Sequence, residues 1–369
     1  MLVLSEEQRL LRDSAKASVA ARAPLSMWRK LRASNDDAGY SGDFWSECAN
    51  MGWAGILIPE PYGGLDFGFV GAGLIAREMG RTLAASPFLS TAVMAASALT
   101  GGGSKGQKQL WLAKIAAGEA VVSVAIDETA RHNPAHIATS AVRSAKGWRL
   151  DGAKVCALDG VVADAVLVAA KAGEETALYL VEANASGLSR LARTLVDGRR
   201  VATLRLENVE VSGEAKLGGG QALIDGVLDA ARGALAASLC GVAEEAFART
   251  LAYLKQRKQF DRTIGSFQAL QHRVAIMHVA IENAWSATFK ALQALESGAA
   301  DAPLQIAMAK AKAGETGRAS AAECLQLHGG IGMTDEFDIG LFLKKARVDA
   351  ELFGDPAYHA DRVATMLGY

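Results

Sequence analysis

"GGGQALIDGVLDAARGALAASLCGVAEEAFARTLAYL", residues 218–254, organises the reading of everything around it. Three glycines punctuate its start. Beyond them Leu228, Ala231, Leu235, Leu239, Val242, Ala246, Thr250 and Leu254 recur at steps of three and four, the period of one helical face. A run past about 30 residues is too long for an ordinary surface helix and predicts a helix inside a bundle. Downstream, "FQALQHRVAIMHVAIENAWSATFKALQAL" (267–295) and "PLQIAMAKAKAGETGRASAAECLQLHG" (303–329) read as two more. Upstream the texture changes. "AVVSVAID", "HIATSAVRSA", "WRLDGAKVCAL", "DAVLVAA", "ALYLVEA" and "VATLRLENVEV", spread over 118–215, are short and Val/Leu-rich, with Gly and Asp between them. Evenly spaced short runs without long helices between them predict an antiparallel barrel or sandwich. Residues 1 to about 115 return to helical spacing. Ser5 is the first candidate N-cap, and "IPEPYGGLDFG" (58–68) is a loop by its Pro and Gly content. The expectation is an α+β multidomain chain: an N-terminal helical domain (1–116), a central antiparallel β-barrel or sandwich domain (117–217) and a C-terminal four-helix-bundle domain (218–369).

Composition supports a large core. Half of the 369 residues are hydrophobic and 21% are charged, which argues against global disorder. A formal net charge of −1 implies no broad attraction to nucleic acid or anionic lipid. Cys48, Cys156, Cys240 and Cys324 form no CxxC pair and read as free thiols rather than a disulfide or metal set. The N-terminal "LVLSEEQRLLRDSAKASVAARA" carries early acids and no apolar h-region, so it reads as an amphipathic helix, not a signal peptide. No uncharged apolar run of membrane-spanning length is read. A cytoplasmic protein is the expectation.

Four stretches carry a resemblance. "MGWAGILIPEPYGGLDFGFVGAGLIAREMGR", "GWRLDGAKVCALDGVVADAVLVAA", "RKQFDRTIGSFQALQHRVAIM" and "QLHGGIGMTDEFDIGLFLKKARVDAELFG" follow one another in this order. Together they resemble the acyl-CoA dehydrogenases over nearly the full chain. The resemblance implies a helical, β, helical fold that assembles as a dimer of dimers. It also implies FAD, an acyl-CoA substrate and α,β-dehydrogenation, with an electron-transfer flavoprotein as a possible acceptor. In that reaction a carboxylate removes the α-proton, which is acidic only while the thioester carbonyl is polarised. A basic carboxylate in a water-poor pocket is therefore needed.

The same resemblance assigns cofactor residues. Arg257, with Gln259 and Phe260, would meet the FAD pyrophosphate of a neighbouring subunit, where a guanidinium fork donates twice. Phe267 and Gln268 would serve the adenosine half; Phe267 also reads as a buried helix-face residue. Gln326, Gly329 and Gly330, with Gly332, sit in "QLHGGIG", where glycines allow close backbone approach. A Gly-rich turn between helices also serves as a simple C-cap. His328 reads as a packed loop residue, and no metal set is read.

The base is missing from both places where relatives carry it. One, a glutamate in a "YEG"-like triplet, reads Leu352-Phe353-Gly354. The other, just before an arginine on the long helix, reads Ala231-Arg232. Glu351 and Asp229 lie two residues away, a rotation of about 200° on a helix, and each reads as an exposed helix carboxylate. Glu78, in "REMGR", is a third candidate. The flavin-ring loop also departs: "AIDETARHNPAHI" (125–137) has no glycine, Thr129 is its candidate flavin contact, and "VCAL" (155–158) replaces the usual aromatic and hydroxyl pair. Contacts to a neighbour's FAD look kept while those to the chain's own flavin ring look lost. The leading reading is the base-less subunit of a heteromeric dehydrogenase, of the kind that degrades steroid side chains and other bulky acyl groups, paired with a second dehydrogenase-like subunit that carries the base. The alternatives are a self-sufficient homotetramer with a relocated base, and a flavin-free scaffold of the same fold.

Overall fold

The computed structural model describes residues 3–34 and 36–369. Before the sheet come α1 (Glu6–Arg22), α2 (Leu25–Ser34), α3 (Gly42–Asn50), α4 (Phe69–Thr82), a π-helical turn at Phe88–Ala95, α5 (Ala96–Gly102), α6 (Lys105–Gln107) and α7 (Ala113–Ala116). The strands are β1 (Val122–Ala125), β2 (Ser140–Ser144), β3 (Gly147–Leu158), β4 (Ala165–Ala172), β5 (Glu175–Glu182), β6 (Leu188–Thr194) and β7 (Arg200–Ser212). Then follow α8 (Gly220–Gln256), a β8–β9 hairpin (Lys258–Gln259 and Arg262–Thr263), α9 (Gln268–Glu296), α10 (Ala302–His328), α11 (Ile339–Glu351) and α12 (Pro356–Met366). Helical, β and helical segments thus succeed one another as expected.

By internal packing the chain forms two compact units. The first contains α1, α4 and the chain from Arg232 onward. Ser5 caps α1 in a full capping box: its hydroxyl accepts from Gln8 N, and Gln8 reaches back to Ser5 N, both at 3.1 Å. Within this unit α4 crosses α8 through glycines. A Cβ on Gly241 would lie 1.9 Å from the Arg77 carbonyl oxygen, and one on Gly80 would lie 2.3 Å from that of Ser238. Beside this backbone contact Arg77 forks onto Glu244 at 2.6–3.1 Å and stacks on Trp285 at 4.0 Å.

The second unit, Arg29–Gly68 with Ala85–Ala231, holds the sheet. Strand order is β1-β4-β2-β3-β7-β6, with β5 pairing β4. Pairing is antiparallel except where β4 runs parallel to β1 and, at Ser140↔Lys171, to β2. The parallel element, not read from the sequence, arises because the β2–β3 hairpin is a crossover that returns β4 in the direction of β1. Its core includes Trp148, Leu150, Val168, Tyr179, Val181 and Leu204.

Strand β6 was not foreseen either. Its side chains are mostly exposed, and its Arg190 turns inward to donate to the carbonyls of Ala163 (2.8 Å), Ala183 (3.3 Å) and Gly160 (3.4 Å). An arginine serving as a backbone donor erases the apolar alternation that marks a strand. By length and composition α8 could cross a membrane, but 89% of its most apolar window is buried inside the protein, as befits a core helix. All four cysteines are free thiols.

Candidate cofactor and active site

Arg257 follows directly on α8 and leads into the β8–β9 hairpin; its N–H bonds Tyr253 O at 2.8 Å, and its carbonyl accepts Ile264 N at 2.8 Å. The hairpin tip is Phe260-Asp261, with φ of 54° and 62°. Positive φ at both central residues marks a type I′ turn, which carries Phe260 outward, 85% exposed. Arg257, Gln259 and Gln268 are exposed as well. Phe267 is not on a helix face: it occupies the N-cap position of α9, half-buried, with Phe260 edge-on at 6.2 Å and the Arg262 guanidinium over its ring at 3.9 Å. The residue caps with its backbone, which apolar spacing alone does not reveal.

The glycine turn lies in the same unit. Gly329 ends α10 with φ 64°, and a Cβ on Gly329 or Gly330 would meet nothing within 4 Å. Both glycines and Gln326 are exposed. His328 is buried; its Nδ1 lies 2.7 Å from Cys324 O, and burial pulls its pKa below the ordinary histidine range. Its ring stacks on Tyr253 at 4.5 Å, and the Tyr253 hydroxyl donates to His328 O at 3.4 Å. Tyr253 stands four residues before Arg257. One aromatic stack therefore ties the arginine end of α8 to the glycine turn.

At the triplet, Phe353 is 7% exposed and holds φ 57°. Its carbonyl oxygen lies 3.0 Å from Arg232 Nε and 3.2 Å from His359 Nε2. Ala231 is fully buried. Glu351 is exposed, with Arg347 at 3.3 Å and Arg318 at 3.8 Å. Asp229 is buried at 3% exposure rather than exposed, because α8 is enclosed around most of its circumference at this level. Glu78 is buried too; burial raises its pKa, against the pull of Arg81 (3.7 Å) and Arg77.

The β1–β2 loop is engaged with itself. The Glu128 carboxylate accepts from Thr139 Oγ1 (2.6 Å), Lys154 Nζ (2.7 Å), Ala138 N (2.7 Å) and Thr139 N (2.9 Å). Burial acts to raise its pKa, but those donors outweigh it and hold the group at about 2. Lys154 is fully buried, and burial pushes its pKa down to about 8 despite Glu128. His132 Nδ1 lies 2.8 Å from Asp127, and the Thr129 hydroxyl donates to Arg131 O at 2.8 Å. Cys156 sits at a bulge of β3 with φ 55°. Sequence reasoning overlooked the Glu128–Lys154 pair; the available signal was an acid in the loop with the lysine of a "GxK" stretch 26 residues on.

The acyl-CoA dehydrogenase N-terminal domain matches residues 5–119 and the acyl-CoA dehydrogenase C-terminal domain matches residues 218–368. The chain belongs to the acyl-CoA dehydrogenase family. It is 31% identical to acyl-CoA dehydrogenase IpdE2 of Mycobacterium tuberculosis over 352 residues, 95% of this chain and 94% of that one. Its fold is similar to a Tcur3481-Tcur3483 steroid ACAD variant (30% identity, TM-score 0.91, 98% of each chain). It is also similar to the ChsE4-ChsE5 complex of Mycobacterium tuberculosis (26% identity, TM-score 0.90, 99% of this chain and 98% of that one).

Membership in the acyl-CoA dehydrogenase family makes the chain an FAD-dependent oxidoreductase by descent. The residues present fit that cofactor unevenly. The exposed Arg257 hairpin offers a guanidinium suited to a diphosphate, and the Gly329–Gly330 turn leaves open space above its backbone, although the Gly329 N–H already bonds Gln326 O. In the β1–β2 loop the side chains of Asp127, Glu128 and Thr129 already have partners within the loop or the adjoining sheet.

Proposed function

We propose that this chain is the base-free subunit of a heteromeric FAD-dependent acyl-CoA dehydrogenase, acting with a second dehydrogenase-like chain on a bulky acyl-CoA thioester such as a steroid side-chain acyl group. The observation that carries this reading is the triplet: Phe353 replaces the carboxylate, and the other position, Ala231, is equally unable to take a proton. The steroid ACAD and the two-chain ChsE4-ChsE5 complex among similar structures support the substrate class and the mixed assembly.

In this reading the residues divide the work as the family resemblance implies. Arg257 would donate to the cofactor's diphosphate, the open Gly329–Gly330 turn would let its ribose approach the backbone, and Gln326 and Gln268 would donate or accept at its polar edges. Phe260 and Phe267 supply aromatic surface beside it. The chemistry FAD supplies when bound is acceptance of a hydride from the substrate's β-carbon. Phe353 contributes apolar bulk and excludes water, and the partner removes the α-proton.

Purified alone, the chain is expected to be flavin-poor and inactive. Co-purified with its partner it is expected to carry one FAD per pair of unlike chains. A yellow, active protein with one FAD per chain on its own would overturn the reading. Arg257→Ala should lower flavin occupancy of the complex ten- to a hundredfold in affinity, since a charged hydrogen bond contributes about 1.5–3 kcal/mol. The melting temperature of the isolated chain should not change, because Arg257 is exposed; unchanged flavin affinity would make it an ordinary solvated arginine.

Glu78 supports a second reading, a self-sufficient enzyme with a relocated base, because it is buried and burial raises its pKa toward that of a working base. Glu78→Gln, Glu351→Gln and Asp229→Asn should each leave the complex's rate within about twofold, a change under about 0.5 kcal/mol. A hundredfold loss with FAD still bound would identify the relocated base and favour the second reading.

A further inference from the structure

The last turn of α11 and the triplet after it leave carbonyl oxygens without helical partners. Three helices of the same unit send a side chain to them. Lys310, in the middle of α10, donates from Nζ to Ala350 O (2.8 Å) and Gly354 O (3.1 Å). Arg232 of α8 and His359 of α12 both reach Phe353 O. Lys310 and His359 are fully buried, and Arg232 is 2% exposed. We propose that Lys310, Arg232 and His359 are positioning residues, a clamp that holds Leu352–Gly354 closed and keeps Phe353 as a fixed apolar wall where relatives present their base.

The backbone gives the clamp something to hold. Phe353 sits at φ 57°, a region costly for any residue with a Cβ, and such a conformation persists only where its surroundings over-determine it. Gly354 closes the turn against α12: a Cβ there would lie 2.3 Å from the Tyr358 ring and 2.8 Å from His359 Nε2. The acids facing Lys310 are occupied elsewhere. Asp349 accepts from Ser238 Oγ (2.9 Å) and Lys345 Nζ (3.1 Å), Glu351 pairs with Arg347, and Asp355 caps α12 through Tyr358 N (2.7 Å). The remaining neighbour, Arg232, repels a second cation. Burial, more than Arg232, pushes the Lys310 pKa down to about 7, despite Asp349. A neutral amine has two N–H donors, one for each carbonyl. Burial, and then Arg232, Lys310 and Arg362, push His359 down to about 2, so it meets Phe353 O as a neutral donor.

The clamp rests on the reading of Phe353 as a base-free wall, but it is tested on the full chain without flavin or partner, so either can fail while the other stands. Hydrogen exchange and thermal unfolding would be measured for wild type, Lys310→Met and Lys310→Gln. Methionine removes both donors and should speed exchange in 350–358 at least tenfold while α9 is unchanged. Glutamine keeps two N–H donors and should restore protection. The unfolded chain keeps the lysine proton that the native state releases above pH 7. The wild-type folding constant should therefore rise with pH, relative to either variant, by up to about tenfold per unit between pH 7 and 8.5. If the methionine variant does not fold, the glutamine comparison decides. Exchange in 350–358 that is unchanged in the methionine variant, or not restored in the glutamine variant, would overturn the clamp.

Discussion

Gly241→Ala should destabilise the protein by about 3 kcal/mol, the upper end of the usual cost of overpacking, lowering the melting temperature by about 4 °C. The new Cβ would sit 1.9 Å from a carbonyl oxygen of α4, and a backbone atom cannot turn aside as a side chain can. Separating the helices would also pull Arg77 from Glu244 and from the face of Trp285. Gly226→Ala is the control within the same helix. It is exposed and nothing lies within 4 Å of its Cβ, so alanine's helix preference should raise stability by about 0.5–1 kcal/mol. Opposite signs from one substitution in one helix, read by thermal or urea unfolding, check the crossing; two equal effects would refute it.

Glu128→Ala should cost about 3–5 kcal/mol, the range for removing one partner of a buried ion pair. Lys154 would keep only the carbonyl of Ile126, at 3.0 Å. The pH dependence carries the signature. The Glu128 pKa is held at about 2 when folded against an ordinary 4.5. Its contribution is therefore complete above pH 4.5 and disappears as pH falls toward 2, where variant and wild type should converge. At the other end, the unpaired Lys154 of the variant should release its proton still more readily. The gap to wild type should therefore narrow as pH rises toward 8, where the wild-type lysine also loses its proton; from there to 10.5 both proteins should gain stability alike. A difference that stays constant from pH 2 to 10 would show that the pair is not ionised.

How far the sequence discloses this molecule depends on distance along the chain. The 37-residue α8 is legible because its apolar steps are local and repeated. The N-cap at Ser5 is legible for the same reason, whereas the reciprocal bond from Gln8 emerges only in the structure. Strand β6 is not, since the meaning of Arg190 depends on three carbonyls from other segments. Asp229 looks solvated by its charge and is enclosed by tertiary packing. Phe267 has the spacing of a helix face and serves as a helix start. At the site, the vacant base positions are visible in single residues, Phe353 and Ala231. The Glu128–Lys154 pair and the Lys310 donors join residues 26 and 40 or more apart, and only the folded chain brings them together.

Under the proposed cofactor contacts, the stack of Tyr253 on His328 would make flavin retention a report on folding. A ligand that binds only the native arrangement adds stability by mass action, about 2.7 kcal/mol at a hundredfold excess over Kd. Because the arginine end of α8 and the glycine turn are riveted by one pair of rings, fraying either loosens both grips at once. Flavin would then be lost in a single step rather than by degrees. In the proposed assembly, a chain weakened here would lose its flavin before it unfolds, and the yellow of the complex would measure how many intact chains it contains.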